Sequence, residues 1–384
     1  MTVTLSPLQI DCDFDSGNIQ VLDASDPRLV RLAIRPDTHS GHFQWFHFKV
    51  SGLTLGQTHR FSLDNAHESS YKNAWDGYHA VASYDQQNWF RVPSSFDGKA
   101  LAFDFTAEHP EAWFAYFEPY PRARHNQLIE RALKVPGIEL LASGRSVQGR
   151  DIPLLRASKD TGAAHKLKLW LIAQQHPGEH MAEWFMEGVI DRLQANDAPL
   201  QRLLAAADLY LIPNMNPDGA FLGHLRTNFK GKDLNRAWQD ASVELSPEVF
   251  FAQSQMKLQG VDAFIDVHGD EEIPHVFTAA CEGNPGYTPR IAKLEEQFRS
   301  TLCSVTKDFQ TVHGYTRDQP GQANMTLACN AVGQAHDCLS LTLEMPFKDH
   351  DDNPDAHRGW SGARSKALAG AVLETLEKMA KDLR

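Results

Sequence analysis

Apolar segments of strand length alternate with helical segments over residues 166–383. The predicted strands are Lys166–Gln174, Ala207–Ile212, Ala263–Val267 and Leu339–Leu343. The predicted helices are His180–Leu193, Pro247–Leu258, Ile291–Thr306 and Lys366–Leu383, after an earlier helix at Asn126–Leu133 and a hairpin at Gly144–Leu155. This alternation predicts an α/β domain whose sheet is largely parallel or mixed.

Residues 1–119 have a different pattern, in which short aromatic and β-branched segments are separated by Gly, Asp, Asn and Pro. The segments are Gln44–Val50, His59–Leu63, Tyr78–Ser83, Trp89–Val92, Leu101–Thr106 and Trp113–Pro121. Runs this short predict a small antiparallel β-sandwich whose alternating aromatic residues form its core. We therefore predict two domains, residues 1–119 and residues 120–384.

Composition restricts the partners and the compartment. The formal charge of -12 argues against a general binder of nucleic acid or anionic membrane, because phosphates repel such a surface. No stretch approaches the roughly 20 apolar residues of a membrane-spanning helix. The N-terminal segment lacks a basic region followed by an apolar core, so we expect no secretory signal. Five scattered cysteines are typical of free buried thiols in a reducing compartment, and we expect a cytoplasmic protein.

Three polar residues follow predicted strands. His176 lies two residues after Gln174, His268 directly follows Ala263–Val267, and Glu344 directly follows Leu339–Leu343. Ligands of open α/β sheets bind beyond the carboxyl ends of the strands. We therefore expect these side chains to meet at one edge of the sheet.

The segment His176-Pro-Gly-Glu179 places an imidazole and a carboxylate within one tight turn. With His268 as a distant third ligand, the set is two His and one Glu, as in catalytic zinc sites that keep one position for water. The HxxE pattern alone is weak, and the other interpretation is an ordinary turn.

Two other HxxE matches compete with this turn, His180/Glu183 and His268/Glu271. His180 and Glu183 fall within the following predicted helix, where we expect a solvated pair or a pair that supports the ligands from outside. Pro177-Gly178 marks the first match as a shaped turn, which favours His176 and Glu179.

Two further segments are ambiguous from their residues. Residues 231–236 (GKDLNR), with Arg226 upstream, place a guanidinium beside an amide that can hold a carboxylate, or else form a charged surface loop. Residues 214–219 (NMNPDG) form a turn. Glu344 ends an apolar strand, where a carboxylate is either paired or has a pKa raised toward that of a general base.

Together these motifs resemble the zinc metallocarboxypeptidases (carboxypeptidase A-like), and most closely a bacterial-type two-domain member of the cytosolic carboxypeptidase branch. HPGE, NPDG, R…GKDLNR, FIDVHGD and TLEMPFKD occur in that family's order over residues 120–384. WFHFKVSG and FAYFEPYP extend the resemblance to the N-terminal region. The resemblance implies an N-terminal β-sandwich followed by an α/β/α carboxypeptidase domain with a central mixed sheet.

The resemblance also implies a mechanism. One Zn²⁺ per chain would be bound by His176, Glu179 and His268. Glu344 is similar to the base that activates the attacking water, and Arg226 is similar to the residue that stabilises the oxyanion. The implied activity is hydrolysis of the C-terminal peptide bond of peptides or protein tails.

Substrate recognition follows from the same resemblance. Asn235 and Arg236 resemble the pair that binds the terminal carboxylate, and Tyr315 lies where the family often has a mobile tyrosine. The branch is associated with acidic C-terminal residues (Glu or Asp), for which Arg317 is a candidate. The pocket lining around residues 324–329 contains no Lys or Arg, so an acidic preference rests on resemblance alone.

Two alternatives remain open. A zinc-dependent N-acyl amino acid amidohydrolase would use the same ligands on a small substrate that also has a free carboxylate. A binding module that recognises peptide C-termini without cleaving them would have lost a ligand or the base, and all of these are present.

Overall fold

The computed structural model of the chain describes residues 8–162 and 165–383. Residues 1–7, on which the expectation of no secretory signal partly depends, lie outside the described residues. The first ten strands are β1 Gln9–Asp11, β2 Gln20–Asp23, β3 Leu29–Ala33, β4 His47–Ser51, β5 Thr58–Leu63, β6 Ala80–Ser83, β7 Trp89–Val92, β8 Ser94–Phe96, β9 Leu101–Thr106 and β10 Glu111–Ala115. The later strands are β11 Ile138–Arg145, β12 Asp151–Ala157, β13 Leu167–Ala173, β14 Ala207–Ile212, β15 Ala263–Asp270, β16 Phe277–Ala279 and β17 Leu339–Pro346. The helices are α1 Arg122–Ala132, α2 His180–Ala195, α3 Ala198–Ala206, α4 Pro217–Leu222, α5 Pro247–Gln259, α6 Pro289–Val305, α7 Ala328–His336 and α8 Gly362–Met379, with short 3₁₀ helices at Ala66–Glu68, Lys72–Trp75 and Leu234–Arg236.

The N-terminal strands form two five-stranded sheets, ordered β1-β4-β10-β6-β7 and β2-β3-β5-β9-β8. Their pairings are antiparallel except that of β3 with β5. Phe48 and Phe114 from one sheet pack with Phe61 and Phe103 from the other, and all four are buried. The predicted sandwich is confirmed, and these aromatic side chains form its core.

The central sheet has seven strands in the order β11-β12-β14-β13-β15-β17-β16. Strands β14, β13, β15 and β17 run parallel, whereas β11, β12 and β16 pair antiparallel. The predicted mixed sheet is confirmed. The chain passes from β13 to β14 on one side of it and then to β15 on its other side, so the strand order reverses at β13. The carboxyl end of β13 is therefore a topological switch point, the position at which ligands bind in such sheets.

Alternate residues of β13 belong to two separate cores. Leu169 and Leu171 pack in the core that contains α2, α3, α6 and α8. Trp170 and Ile172 pack in the core that contains α5 and α7. Because successive strand residues point to opposite faces, helices cover both sides of the sheet. This is the α/β/α arrangement that the resemblance implied.

Two predicted strand ends are wrong. Strand β15 continues to Asp270 and β17 continues to Pro346, so His268 and Glu344 lie within strands rather than after them. Parallel pairing persists through this region, with His268 opposite Glu344, and ladder hydrogen bonds keep the polar residues extended. Helices α3, α4 and α7 and strands β1, β2, β3, β8 and β16 were not predicted, and α4 begins within the segment 214–219 that was expected to be a turn. The division at residues 119 and 120 stays a prediction.

The remaining expectations concern membranes and thiols. Among residues 8–162 and 165–383, no helix is long and apolar enough to cross a membrane. The five cysteines are free thiols, as predicted. They are not all buried, because Cys303 is exposed and Cys12 is half-buried.

The contact between α2 and α8 generates a stability prediction. A Cβ atom added at Gly188 would lie 2.4 Å from the backbone oxygen of Lys366, whereas one added at Gly370 would meet nothing closer than 3.7 Å. Gly188→Ala should therefore lower the free energy of unfolding by about 1–3 kcal/mol through overpacking. Gly370→Ala should be neutral or raise it by about 0.5–1 kcal/mol, because alanine favours a helix interior. Urea unfolding measures both, and equal effects would contradict this packing.

Candidate active site

The turn after β13 carries the first two predicted ligands. Gln174 adopts a left-handed backbone conformation with φ of 57°, and its side-chain amide donates to the Pro177 carbonyl at 2.9 Å. The Gly178 N–H donates to the Leu225 carbonyl at 2.9 Å, and a Cβ atom on Gly178 would lie 2.9 Å from that oxygen. Glycine therefore permits the close approach that fixes this turn.

His176, Glu179 and His268 meet at this turn. The Glu179 carboxylate lies between the imidazoles, with Oε1 2.6 Å from His176 Nδ1 and Oε2 2.7 Å from His268 Nδ1. One ligand atom from each residue lies within 4.8 Å of the others, and all three residues are buried. Two imidazole nitrogens and a carboxylate are the donor set of a catalytic zinc site, so the residues fit the ion.

The other ring nitrogens contact carboxylates. Asp266 Oδ2 lies 2.8 Å from His268 Nε2, and Asp233 Oδ1 lies 3.1 Å from His176 Nε2. A carboxylate that accepts the Nε2 proton leaves the Nδ1 lone pair free, which orients each ring for a metal. The sequence analysis missed both roles. The available signal was the acidic residue inside GKDLNR and inside FIDVHGD.

Glu344 borders the same cavity. It is buried, and its Oε2 atom has no hydrogen-bond partner among the described residues. Burial raises the pKa of Glu344 well above its ordinary value, the carboxylates of Glu179 and Asp270 raise it further, and His268 opposes this effect. The Tyr315 hydroxyl donates to Asp270 Oδ2 at 2.6 Å and lies 3.3 Å from Glu344 Oε1. The structure therefore brings Tyr315 to the predicted base.

Arg226 contacts residues of both the N-terminal and the C-terminal part of the chain. Its Nε donates to Asp233 Oδ2 at 2.8 Å, and its guanidinium also donates to the Tyr71 hydroxyl. Burial lowers the pKa of Arg226, but Asp233 and Tyr71 outweigh this and raise it above its ordinary value. The Asp37 carboxylate accepts the backbone N–H groups of residues 225–227 at 2.6–2.8 Å. No sequence pattern indicated Asp37 or Tyr71.

Asn235 and Arg236 lie in the 3₁₀ helix after Asp233. Asn235 is buried, and its Oδ1 accepts the Ala328 N–H at 2.8 Å. Arg236 is exposed. One cavity is lined by His176, Glu179, Arg226, Asn235, Arg236, Tyr315 and Glu344. The predicted site residues are thus neighbours. His268 does not line this cavity, but its Nδ1 contacts the Glu179 carboxylate.

The competing HxxE matches are built differently. His180 is buried, accepts the Tyr120 N–H at 2.9 Å, and has its pKa lowered to about 3 by burial. Glu183 is also buried and contacts His125 and Asn214. The interpretation of these two as a solvated pair is wrong, because α2 turns this face into the protein interior. Glu271 lines the cavity, but it is not part of the ligand group.

Comparison with known proteins identifies the family. Residues 126–348 match the zinc carboxypeptidases, and residues 10–117 match the N-terminal domain of cytosolic carboxypeptidases. The chain belongs to the zinc carboxypeptidase family. It is therefore a metallocarboxypeptidase, from a zinc-dependent family, and the resemblance found in the sequence is confirmed.

Solved carboxypeptidases share the whole architecture. The metallo-carboxypeptidase of Pseudomonas aeruginosa in complex with (2-guanidinoethylmercapto)succinic acid is 63% identical, with a TM-score of 0.96 over 98% of this chain and 100% of that one. The metallo-carboxypeptidase of Burkholderia cenocepacia is 40% identical, with a TM-score of 0.95 over 97% of this chain and 99% of that one. Cytosolic carboxypeptidase 6 of Caenorhabditis elegans is 27% identical over 88% of this carboxypeptidase and 79% of its own length.

Proposed function

We propose that this carboxypeptidase hydrolyses the C-terminal peptide bond of peptides or protein tails, with one zinc ion bound by His176, Glu179 and His268. The observation that carries the proposal is the convergence of both Nδ1 atoms on Glu179 beside the cavity that Glu344 borders. Zinc, when bound, supplies a Lewis acid for the scissile carbonyl and lowers the pKa of a coordinated water.

Glu344 is the proposed general base. Its unpartnered Oε2 atom can accept a proton from the attacking water and then donate that proton to the leaving amine. The buried setting supports this cycle because it raises the pKa of Glu344 from that of an ordinary carboxylate. Tyr315, whose hydroxyl lies 3.3 Å from Oε1, can hold the carboxylate in place.

The cationic and amide groups are proposed to recognise charge on the substrate. Arg226 would stabilise the negative oxygen that forms when the carbonyl is attacked, because its charge is fixed and already oriented by Asp233. Asn235 and the exposed Arg236 would bind the terminal carboxylate. An internal peptide bond offers no such carboxylate, which makes the enzyme an exopeptidase.

Two connections between the N-terminal strands contribute to this arrangement, β3 to β4 and β5 to β6. Asp37 holds the backbone of residues 225–227, and Tyr71 contacts the Arg226 guanidinium and lines the cavity. We propose that residues 1–119 are a domain that positions Arg226 for a catalytic domain of residues 120–384. Free thiols favour a cytoplasmic location, and the acidic composition argues against nucleic acid as a partner.

Replacement of the base tests the mechanism. Glu344→Gln should lower kcat/KM on a peptide by about 10²–10⁴-fold, since the amide cannot accept the proton. Its zinc content, measured by mass spectrometry of the metal, should equal that of the unmodified protein. Glu244→Gln, at an exposed position, is the matched control and should keep full activity.

Two results would contradict the proposal. Full turnover by Glu344→Gln would remove the assigned base. If zinc-loaded protein left every peptide intact and instead hydrolysed N-acyl amino acids, the amidohydrolase alternative would replace the peptidase. Addition of a chelator should abolish either activity.

A preference for acidic C-terminal residues is also proposed. A second cavity lies beside the first, and Ala279, Tyr315, Leu327 and Thr342 line both. Its wall contains Arg299 from α6, which is buried. The Arg299 Nη2 donates to Glu282 Oε1 at 2.8 Å, and its Nε donates to Thr278 Oγ1 at 3.3 Å. The sequence analysis missed Arg299, because its helix is distant in sequence from the other site residues.

The charges of this wall favour an acidic side chain at the C-terminus of the substrate. Arg317 lies 3.4 Å from the same Glu282 carboxylate, so two guanidinium groups share one anion. Asp318 also lines the cavity but is exposed, where solvent weakens its field. An acidic side chain can therefore complete the coordination of Arg299, whereas a basic side chain would be repelled by it.

Substitution of the buried arginine tests this preference. Arg299→Met should lower kcat/KM for Glu-ended peptides by about tenfold or more relative to Gln-ended peptides, because a charge-assisted hydrogen bond is lost. Arg299→Lys, which keeps the charge, should retain part of the preference. Arg317→Met is the control for a solvent-exposed partner and should have a smaller effect. Equal treatment of Glu-ended and Gln-ended peptides by the unmodified enzyme would reject the preference.

A further inference from the structure

A second group of metal-ligating side chains lies outside the active site. His275 precedes β16, and His350 and Asp352 follow β17. One ligand atom from each residue lies within 4.8 Å of the others, and the atoms of His176, Glu179 and His268 also lie within this limit. The two groups share no residue.

His275 and Asp352 form the first half of this group. His275 is buried, and its Nδ1 atom lies 3.1 Å from Asp352 Oδ2. Two ligands at about 2.0–2.1 Å from one tetrahedral zinc ion are about 3.3 Å apart, so this contact matches a shared ion as well as it matches an ion pair. The Asp352 side chain is 51% exposed, which leaves room for water ligands.

His350 supplies the third donor. It is fully buried, and its Nε2 lies 2.7 Å from the backbone oxygen of Asp308, which assigns the ring proton to Nε2. The Val276 N–H is 3.5 Å from the same nitrogen, and the shorter contact decides the tautomer. His350 Nδ1 then carries the lone pair of the ring, which accepts the Asp352 N–H at 3.2 Å, a hydrogen bond that a bound ion would replace. Donation of the distal ring proton to a backbone carbonyl is the usual support of a metal-binding histidine.

We propose that His275, His350 and Asp352 bind a second divalent transition-metal ion of the zinc class. Two imidazoles and one carboxylate are suited to such an ion, because nitrogen donors disfavour magnesium and calcium. Because both rings are buried and the tautomer of His350 is fixed, the main reorganisation on binding is the release of the Asp352 N–H from His350 Nδ1. The site is structural or regulatory, since no residue of the proposed catalytic group belongs to it.

The position of the site connects it to the Tyr315 segment. The His313 ring stacks on His275 with centroids 4.2 Å apart and an angle of 4° between the planes. Phe277, two residues after His275, contacts the Tyr315 ring edge-to-face at 4.9 Å. An ion on His275 would therefore immobilise the surface on which residues 313–315 pack. Hydrogen exchange of these residues should slow when the second site is filled.

Zinc stoichiometry on the tag-free full chain tests the proposal. Metal-depleted protein titrated with Zn²⁺ alone should bind two ions per chain. Asp352→Asn, at a half-exposed position that should not impair folding, should bind one ion tightly and weaken the other by more than about tenfold. His176→Ala should also bind one ion, at the second site, and the double variant should bind none tightly. His313→Ala, which removes only the stacked ring, is the matched control and should keep two ions.

The possible results distinguish a second metal site from the proposed catalytic zinc site. Unmodified protein that binds a single ion, or Asp352→Asn that still binds two with unchanged affinity, would overturn the second site. Neither result would affect the proposed catalytic zinc, which the His176→Ala variant reports separately through its lost peptidase activity. A second ion that disappears with Asp352→Asn while peptidase activity persists would support the site and separate it from catalysis.

Discussion

The parallel pairing of β15 with β17 places His268 directly opposite Glu344. Because β13 pairs with the other edge of β15, the turn that carries His176 and Glu179 emerges beside them. Three neighbouring strands thus deliver the proposed base and the candidate ligands to one end of the sheet. A register shift of one residue in β15 would turn His268 to the opposite face and remove it from Glu179. The site therefore depends on the same backbone hydrogen bonds that hold the sheet together.

A shell of carboxylates organises the side chains that these strands deliver. Asp266 fixes His268, and Asp233 contacts both His176 and Arg226. Asp37 performs a similar function on the backbone before Asp233, although it lies in the N-terminal part of the chain, in the loop between β3 and β4. Such a dense set of acids tolerates burial because each has a nitrogen donor within hydrogen-bond distance. Residues of the N-terminal part therefore help to form the cavity and its surroundings.

The sequence predicted the elements whose periodicity is local. The predicted strand at residues 166–174 is an apolar run and contains β13, Leu167–Ala173, and the residues after such strands could be expected to meet at one sheet edge. The strand ends could not be predicted well, since whether His268 stays extended depends on pairing with β17. Burial of His180 and Glu183 depends on contacts with Tyr120, His125 and Asn214, which are distant in sequence. Asp37, Tyr71 and Arg299 reach the cavities through tertiary packing, and no spacing rule connects them to the motifs.

The central claim is that this zinc carboxypeptidase recognises a free C-terminal carboxylate through Asn235 and Arg236. The most direct test is digestion of peptide pairs that differ only in a free or an amidated C-terminus, followed by mass spectrometry. We predict loss of single C-terminal residues from the free peptides, cleavage of the amidated peptides slower by about tenfold or more, and a smaller difference in Arg236→Ala. Equal cleavage of free and amidated peptides by the unmodified enzyme would contradict the account.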